Sequence, residues 1–178
     1  MLDSMTRRGF TVVELIITIT IMGILLTLAV VNLTASQANG RDAERKGDVE
    51  ALALNIENYY NNQDPNLFMS GGTYLGSSYL NDSEVKQFLP DLDPKSTHAP
   101  GVDVSGPISV VEATNAVATT AGVLPQPSKS NDVYVYQPLT ASGALCFDPF
   151  ITGDCRKFNI YYYQEVSGTV EVITSKRQ

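Results

Sequence analysis

Proline is absent before Pro65, and from Leu15 to Val31 there are seventeen residues without a charge. The first absence lets a helix run uninterrupted from the start of the chain, because an interior proline is what most reliably breaks one. The second marks a stretch long enough to cross the hydrocarbon core of a bilayer, and Phe10 to Leu33 carries one charge only, Glu14. Histidine is nearly missing too: His98 stands alone in a loop of threonine, alanine and proline. With one histidine and two cysteines there is no zinc-ligand spacing, and neither a glycine-rich phosphate loop nor a serine elbow occurs. Catalysis and a bound cofactor are not expected. Basic residues are outnumbered, 12 Lys and Arg against 19 Asp and Glu, a net charge of −7 that opposes direct nucleic-acid binding by the bulk surface.

Three explanations compete for the apolar run. A cleaved secretory signal needs an apolar core of only about 7 to 15 residues followed by a small-residue cleavage site, and this run is longer. A lipoprotein signal needs a cysteine directly after the run, whereas the cysteines here are Cys146 and Cys155. A membrane anchor fits the length but gives no reason for a carboxylate five residues into the block. A charge at the bilayer centre costs roughly 2.5 to 3.5 kcal/mol on translocon scales, so an intramembrane acid usually has a partner or a task. In an isolated anchor Glu14 would lie near the interface and snorkel into the headgroups. Arg7 and Arg8 precede the span, which favours an N-terminus in the cytoplasm and a C-terminus outside.

The run Arg7-Arg8-Gly9-Phe10-Thr11-Val12-Val13-Glu14-Leu15-Ile16 resembles the class III signal of type IV pilins and pseudopilins: a basic leader ending in glycine, then phenylalanine, then glutamate four residues on. The resemblance implies that a prepilin peptidase cuts between Gly9 and Phe10 and methylates the new amino terminus of Phe10. The mature chain would have 169 residues, nine fewer than the 178 of the precursor. It implies that Glu14, about 6 Å along the helix axis from Phe10, meets the terminal amine of a neighbouring copy and sets the stagger of subunits in a filament. Inner-membrane assembly machinery is then a further partner. Arg45, Asp48, Leu52, Tyr59-Tyr60 and Gly72-Thr73-Tyr74 extend the resemblance loosely to the amphipathic half-helix and Gly-x-Tyr turn of the family. Two positions depart from it. Leu75 replaces the proline that often follows that turn, and Leu28 to Leu33 lacks the proline many pilins carry there, so helix melting that depends on it loses its basis.

Within the span the hydroxyls of Thr18, Thr20 and Thr27 can bond back to carbonyls of the preceding turn. Beyond it Val49, Leu52, Ile56 and Tyr59 or Tyr60 follow helical spacing and are expected to face a core. Asp42 with Lys46 and Lys46 with Glu50 read as surface pairs worth about 0.2 to 0.5 kcal/mol each. Gly40 and Gly47 weaken the helix by roughly 1 kcal/mol each relative to alanine. If it continues from Phe10 to about Asn61 the helix is roughly 78 Å long. Residues 63–131 are punctuated by proline and glycine and read mainly as connection. Asp82 to Leu89 suggests a short helix capped by Asp82 or Ser83, with Val85, Phe88 and Leu89 inward. Ile108 to Val111 suggests a strand, and Ala113 to Ala121 supports either state. Val133 to Tyr136 reads as a strand with a proline just after it, and Phe158–Val166 and Thr169–Thr174 as a terminal hairpin around Ser167-Gly168. A strict two-residue turn there leaves the register open, and Tyr161 to Tyr163 suggest that both sheet faces are covered.

Cys146 and Cys155 fall on the outward side of the span, where disulfides persist, and a bridge between them is expected. The resulting 146–155 loop resembles the C-terminal disulfide loop of many pilins, whose exposed part often contributes to adhesion; a plain structural staple is the alternative. Residues 61–155 hold three bases against ten acids, and residues 156–178 four bases against two. Arg156, Lys157, Lys176 and Arg177 therefore form either a local basic patch or an ordinary solvated strand end. Asp91, Asp93 and Asp103 lie beside proline and glycine and read as turn formers rather than a calcium site.

The expected architecture is α+β in the manner of a type IV pilin, a long N-terminal helix packed on a small antiparallel β-sheet head. Its divisions are a leader at 1–9, a membrane or filament-core half-helix at 10–33, an amphipathic half at 34–62, a connecting region at 63–131 and a sheet at 132–178. The expected function is that of a pilus subunit, inserted in the cytoplasmic membrane as a precursor and polymerised through its helix into an extracellular filament for motility, adhesion or DNA uptake. A pseudopilin of a type II secretion or competence system shares these features, and a membrane-tethered extracytoplasmic binding domain is the reading from another class.

Overall fold

The computed structural model describes residues 9–61, 72–81, 83–114, 131–148 and 154–177. The leader arginines Arg7 and Arg8, Asp82 and residues 115–121 fall outside these ranges. Two compact units are present, Met1–Ala38 and Asn39–Gln178.

The first unit is helix. α1 spans Val12–Asn61 and so extends into the second unit, passing through Gly40 and Gly47 without a break. From Val12 to Leu33 every described side chain is exposed, and the segment is long and apolar enough to cross a membrane. Thr18 donates to the Leu15 carbonyl, Thr20 to those of Ile16 and Ile17, and Thr27 to that of Ile24, at 2.8 to 3.0 Å. Each hydroxyl is thus satisfied within its own helix, as its spacing led us to expect.

The second unit folds a four-stranded sheet over the rest of α1. The strands are β1 (Val110–Glu112), β2 (Tyr134–Thr140), β3 (Cys155–Tyr163) and β4 (Val170–Thr174), in that spatial order. β2 with β3 and β3 with β4 are antiparallel, but β1 runs parallel to β2, so the sheet is mixed rather than the antiparallel one expected. A parallel neighbour needs a crossover connection, which local strand patterning does not announce.

Tyr134, Tyr136, Phe158, Ile160 and Tyr162 join Val49, Leu52, Ile56 and Tyr59 of α1 in the main core. Val49, Leu52 and Ile56 are fully buried; Tyr60 is half-buried. Burying such a side chain contributes about 1.5 to 3 kcal/mol, which readily offsets the glycines' weak helix propensity. On the opposite face Val135 and Tyr161 pack with Ala113 in a second cluster, so both sheet faces are covered.

Several local expectations need correction. β2 continues through Pro138, because β1 reaches only as far as Tyr136. Beyond that point the Cys146 N–H takes the Pro138 carbonyl, and the missing proline N–H is not needed. β3 and β4 are joined by residues 164–169 rather than a two-residue turn, with Tyr163 paired to Val170. The short helix α2 is Val85–Phe88, and its entry is held by Asn81, whose Oδ1 accepts from the N–H groups of Ser83 and Glu84. Val85 and Leu89 are buried beneath it, and Phe88 is half-buried. Lys46 pairs with Glu50 at 3.8 Å, but Asp42 turns inward to other partners.

Candidate functional site

The carboxylate of Glu14 is placed by the start of α1. Thr11 is the residue before the first helical turn and Glu14 is the third residue in. The Thr11 N–H and hydroxyl donate to Glu14 Oε2 at 3.1 and 2.9 Å, and the Glu14 N–H donates to Thr11 Oγ1 at 3.2 Å. This is a reciprocal capping box, which satisfies two backbone donors at the helix start. The carboxylate is therefore turned toward the N-terminal end of α1, and Phe10, 84% exposed, precedes it. Glu14 Oε1 has no partner among the described residues. The arrangement can do one thing chemically: offer an oriented anion, on an otherwise uncharged stretch of helix, to a donor that the described residues do not supply. Gly9 and Phe10 lie outside the helix, immediately before the cap.

The second unit holds its own stretch of α1 through a ladder of polar side chains. Asp42 accepts from the N–H groups of Glu165 and Val166 in the β3–β4 connection, at 2.8 and 2.9 Å. Arg45 is 1% exposed and bonds Asp42, Glu165 and the Asn131 carbonyl. Arg41 grips both oxygens of Glu165. These two guanidinium groups, Arg41 first, hold the Glu165 carboxyl down at about 2. Asp48 accepts from the Tyr134 hydroxyl at 2.9 Å, yet burial outweighs that bond and raises its pKa. Glu57, also buried, accepts from the Tyr74 hydroxyl and from the Lys176 N–H at 2.7 Å. The Gly72-Thr73-Tyr74 turn is thereby fixed on α1. Gly72 has φ +84°, which favours glycine, and a Cβ there would stand 3.3 Å from the Tyr60 hydroxyl, close enough that the ring would have to shift by a few tenths of an ångström.

Cys146 and Cys155 are joined by a disulfide with their Cα atoms 5.5 Å apart, both fully buried. The Tyr74 and Ser77 N–H groups bond the carbonyls of Cys155 and Cys146, so the base of the loop is stitched to the 73–78 segment. Phe147 at its start is 45% exposed. Arg156 and Arg177 converge on Tyr60 at the C-terminal end of α1. Arg177 lies 4.6 Å over the Tyr60 ring and bonds Asn61, while Arg156 donates to the Gly72 carbonyl and to Asp154. α1 has no basic residue in its last turn, so these cations from β3 and the C-terminal segment face the negative end of its dipole. Asp93 accepts from the Lys95 N–H and Asp103 from the Ser105 N–H, as turn formers do. Among the described residues no cluster of His, Cys, Asp and Glu is placed to hold a metal.

Sequence reasoning singled out Glu14 and missed Thr11, although Thr-x-x-Glu before an apolar run is a legible capping signature. It noted Arg45 and Asp48 without their roles, and gave no sign of Glu165 or Glu57.

The prokaryotic N-terminal methylation motif matches residues 4–30, a span that contains Gly9, Phe10, Thr11 and Glu14 and the first turns of α1. No curated protein and no solved structure matches the chain. That motif is the hallmark of type IV pilins and pseudopilins, and the long N-terminal helix followed by a small mixed sheet is an α+β layout consistent with the pilin fold.

Proposed function

We propose that the protein is a pilus subunit: a precursor inserted with its N-terminus in the cytoplasm, cut between Gly9 and Phe10, methylated on Phe10 and polymerised through α1 into a filament outside the cell. Arg7 and Arg8 set the orientation, a prepilin peptidase makes the cut, and the inner-membrane machinery assembles the fibre. One observation carries this reading. The described side chains of the apolar half of α1 are all exposed, and the carboxylate it bears bonds, among the described residues, only Thr11. A lone span in lipid has no use for that anion, while a neighbouring copy with a free amine at Phe10 does.

Glu14→Ala tests the proposal in cells. Insertion of the precursor should be unchanged, and the yield of assembled fibres should fall at least tenfold. A membrane-tethered binding domain would be indifferent to the substitution. Thr11→Ala, which removes the hydroxyl but not the anion, should lower the yield less than Glu14→Ala does. Electron microscopy of sheared material, with the subunit identified by mass, separates a long surface fibre from the short periplasmic assembly of a pseudopilin.

A further inference from the structure

The charged side chains of the head are sorted along α1. At the C-terminal end of the helix stand Arg156, Lys176 and Arg177, all exposed. Arg177 lies over the Tyr60 ring and bonds Asn61, Arg156 donates to the Gly72 carbonyl beside Tyr60, and the Lys176 N–H bonds Glu57. Lys157 does not belong to this group: it is one residue out of phase with the core residues Phe158 and Ile160, so it points to the opposite face of the sheet. Asp154, paired with Arg156, is the acid exposed beside the three cations, which leaves this end with a net charge of +2.

The other end of the head has the opposite sign. The turn Pro94–Thr97 is held on α1 by Lys95, whose ammonium meets Glu44 at 2.6 Å, and Asp93 opens that turn with its side chain exposed. Asp132 is exposed at the same level, next to Asn131, whose carbonyl is held by Arg45. Glu44, Asp93 and Asp132 against Lys95 leave a net charge of −2. Arg41 and Arg45 are offset by Asp42 and Glu165, and Lys46 by Glu50.

The two ends do not neutralise each other within one chain. Helical rise separates Glu44 from Asn61 by roughly 25 Å along α1, about three times the Debye length of about 8 Å at physiological ionic strength. Arg177 is occupied by the Tyr60 ring and the helix end, but among the described residues the Lys176 side chain makes no hydrogen bond or ion pair.

Copies that all point the same way and are displaced along α1 bring unlike ends together, a head-to-tail contact that repeats without closing. We propose that Arg156, Lys176 and Arg177 of one head dock on Glu44, Asp93 and Asp132 of the next copy along the fibre. The occupant is a second copy because the two patches are opposite in sign, equal in net charge and carried at opposite ends of the same head. Charges placed in this way fix register and reject wrongly oriented neighbours more than they add affinity. The inference rests on polymerisation through α1, proposed above.

Lys176→Glu with Arg177→Glu should lower the yield of sheared fibres about tenfold, because like charges then face each other. Asp93→Lys with Asp132→Lys should lower it as well. A chain carrying all four substitutions has both ends reversed and should recover to within about twofold of the wild type. Wild-type fibres whose yield is unmoved by reversal of the basic end, or a four-fold variant no better than either pair alone, would overturn the contact and leave polymerisation through α1 standing. A wild-type chain that makes no fibres would overturn both. Thermal melting in detergent shows whether each variant's head is folded. If one is not, the length of wild-type fibres in about 0.1 M and about 1 M NaCl decides, since the Debye length falls from about 10 to about 3 Å between them. Shorter fibres at high salt are expected, and unchanged length would overturn the proposal.

Discussion

Between Val12 and Leu33 the described side chains of α1 are all exposed, whereas between Asp42 and Tyr59 the same helix buries an apolar face and sends four polar residues to separate parts of the head. Among the described residues the side chains of the first stretch bond only within it and to Thr11, through Glu14 and the threonines. Its apolar surface and its one anion call for material outside the chain, lipid or other copies. In the second stretch the buried charges are paired within the head, and what remains exposed is an ordinary polar surface with scattered apolar residues. Stability is decided by individual pairs in one stretch and by environment in the other. A substitution in the head should therefore unfold the head without disturbing insertion, and a substitution at Glu14 should leave both the head and insertion intact and lower the yield of fibres.

The largest effect should come from Arg45→Ala. It leaves the largely buried carboxylates Asp42 and Glu165 without their shared guanidinium, and breaking such a pair costs about 3 to 5 kcal/mol. Chemical denaturation should show that loss, and alkaline extraction of membranes should still find the protein inserted. Removing the bridge with paired Cys146→Ser and Cys155→Ser comes next. Opening a loop of ten residues costs about 2.7 kcal/mol on the chain-entropy model, read as an earlier denaturation midpoint for the head. If Arg45→Ala expels the protein from membranes, the two stretches are not independent in the way drawn here.

A smaller effect is expected in acid. Glu165 titrates at about 2 when folded, against 4.5 for the free carboxyl, so its contribution is complete above about 4.5 and is lost as pH falls toward 2. Asp48 works the other way: burial raises its folded pKa, so taking up a proton relieves a cost in the folded state as pH falls. Thermal melting followed down this range should show a net decline. Glu165→Gln should flatten it and Asp48→Asn should steepen it.

The legibility of the two stretches differed for the same reason. An uncharged run, threonine spacing and the three-and-four pattern of Val49, Leu52 and Ile56 are local properties, and each led to the observed element. β2 and β3 were recognisable from their β-branched and aromatic runs. Partner choice was not readable. Asp42 has a lysine four residues on and an arginine three residues on, and only the folded β3–β4 connection selects the arginine and adds two backbone N–H groups. The parallel pairing of β1 with β2 joins stretches that no local pattern links, and the Tyr74–Glu57 bond joins positions brought together by the core. Thr11 is legible as well, since Thr-x-x-Glu before an apolar run is a local capping signature.

The most direct measurement is the mass of the N-terminal peptide of subunits recovered from sheared surface material. The account predicts a chain that begins at Phe10 with one extra methyl group on its amine and retains the apolar helix. Fibres whose subunits still begin at Met1, or a mature chain that occurs only as separate molecules in the membrane, would contradict it.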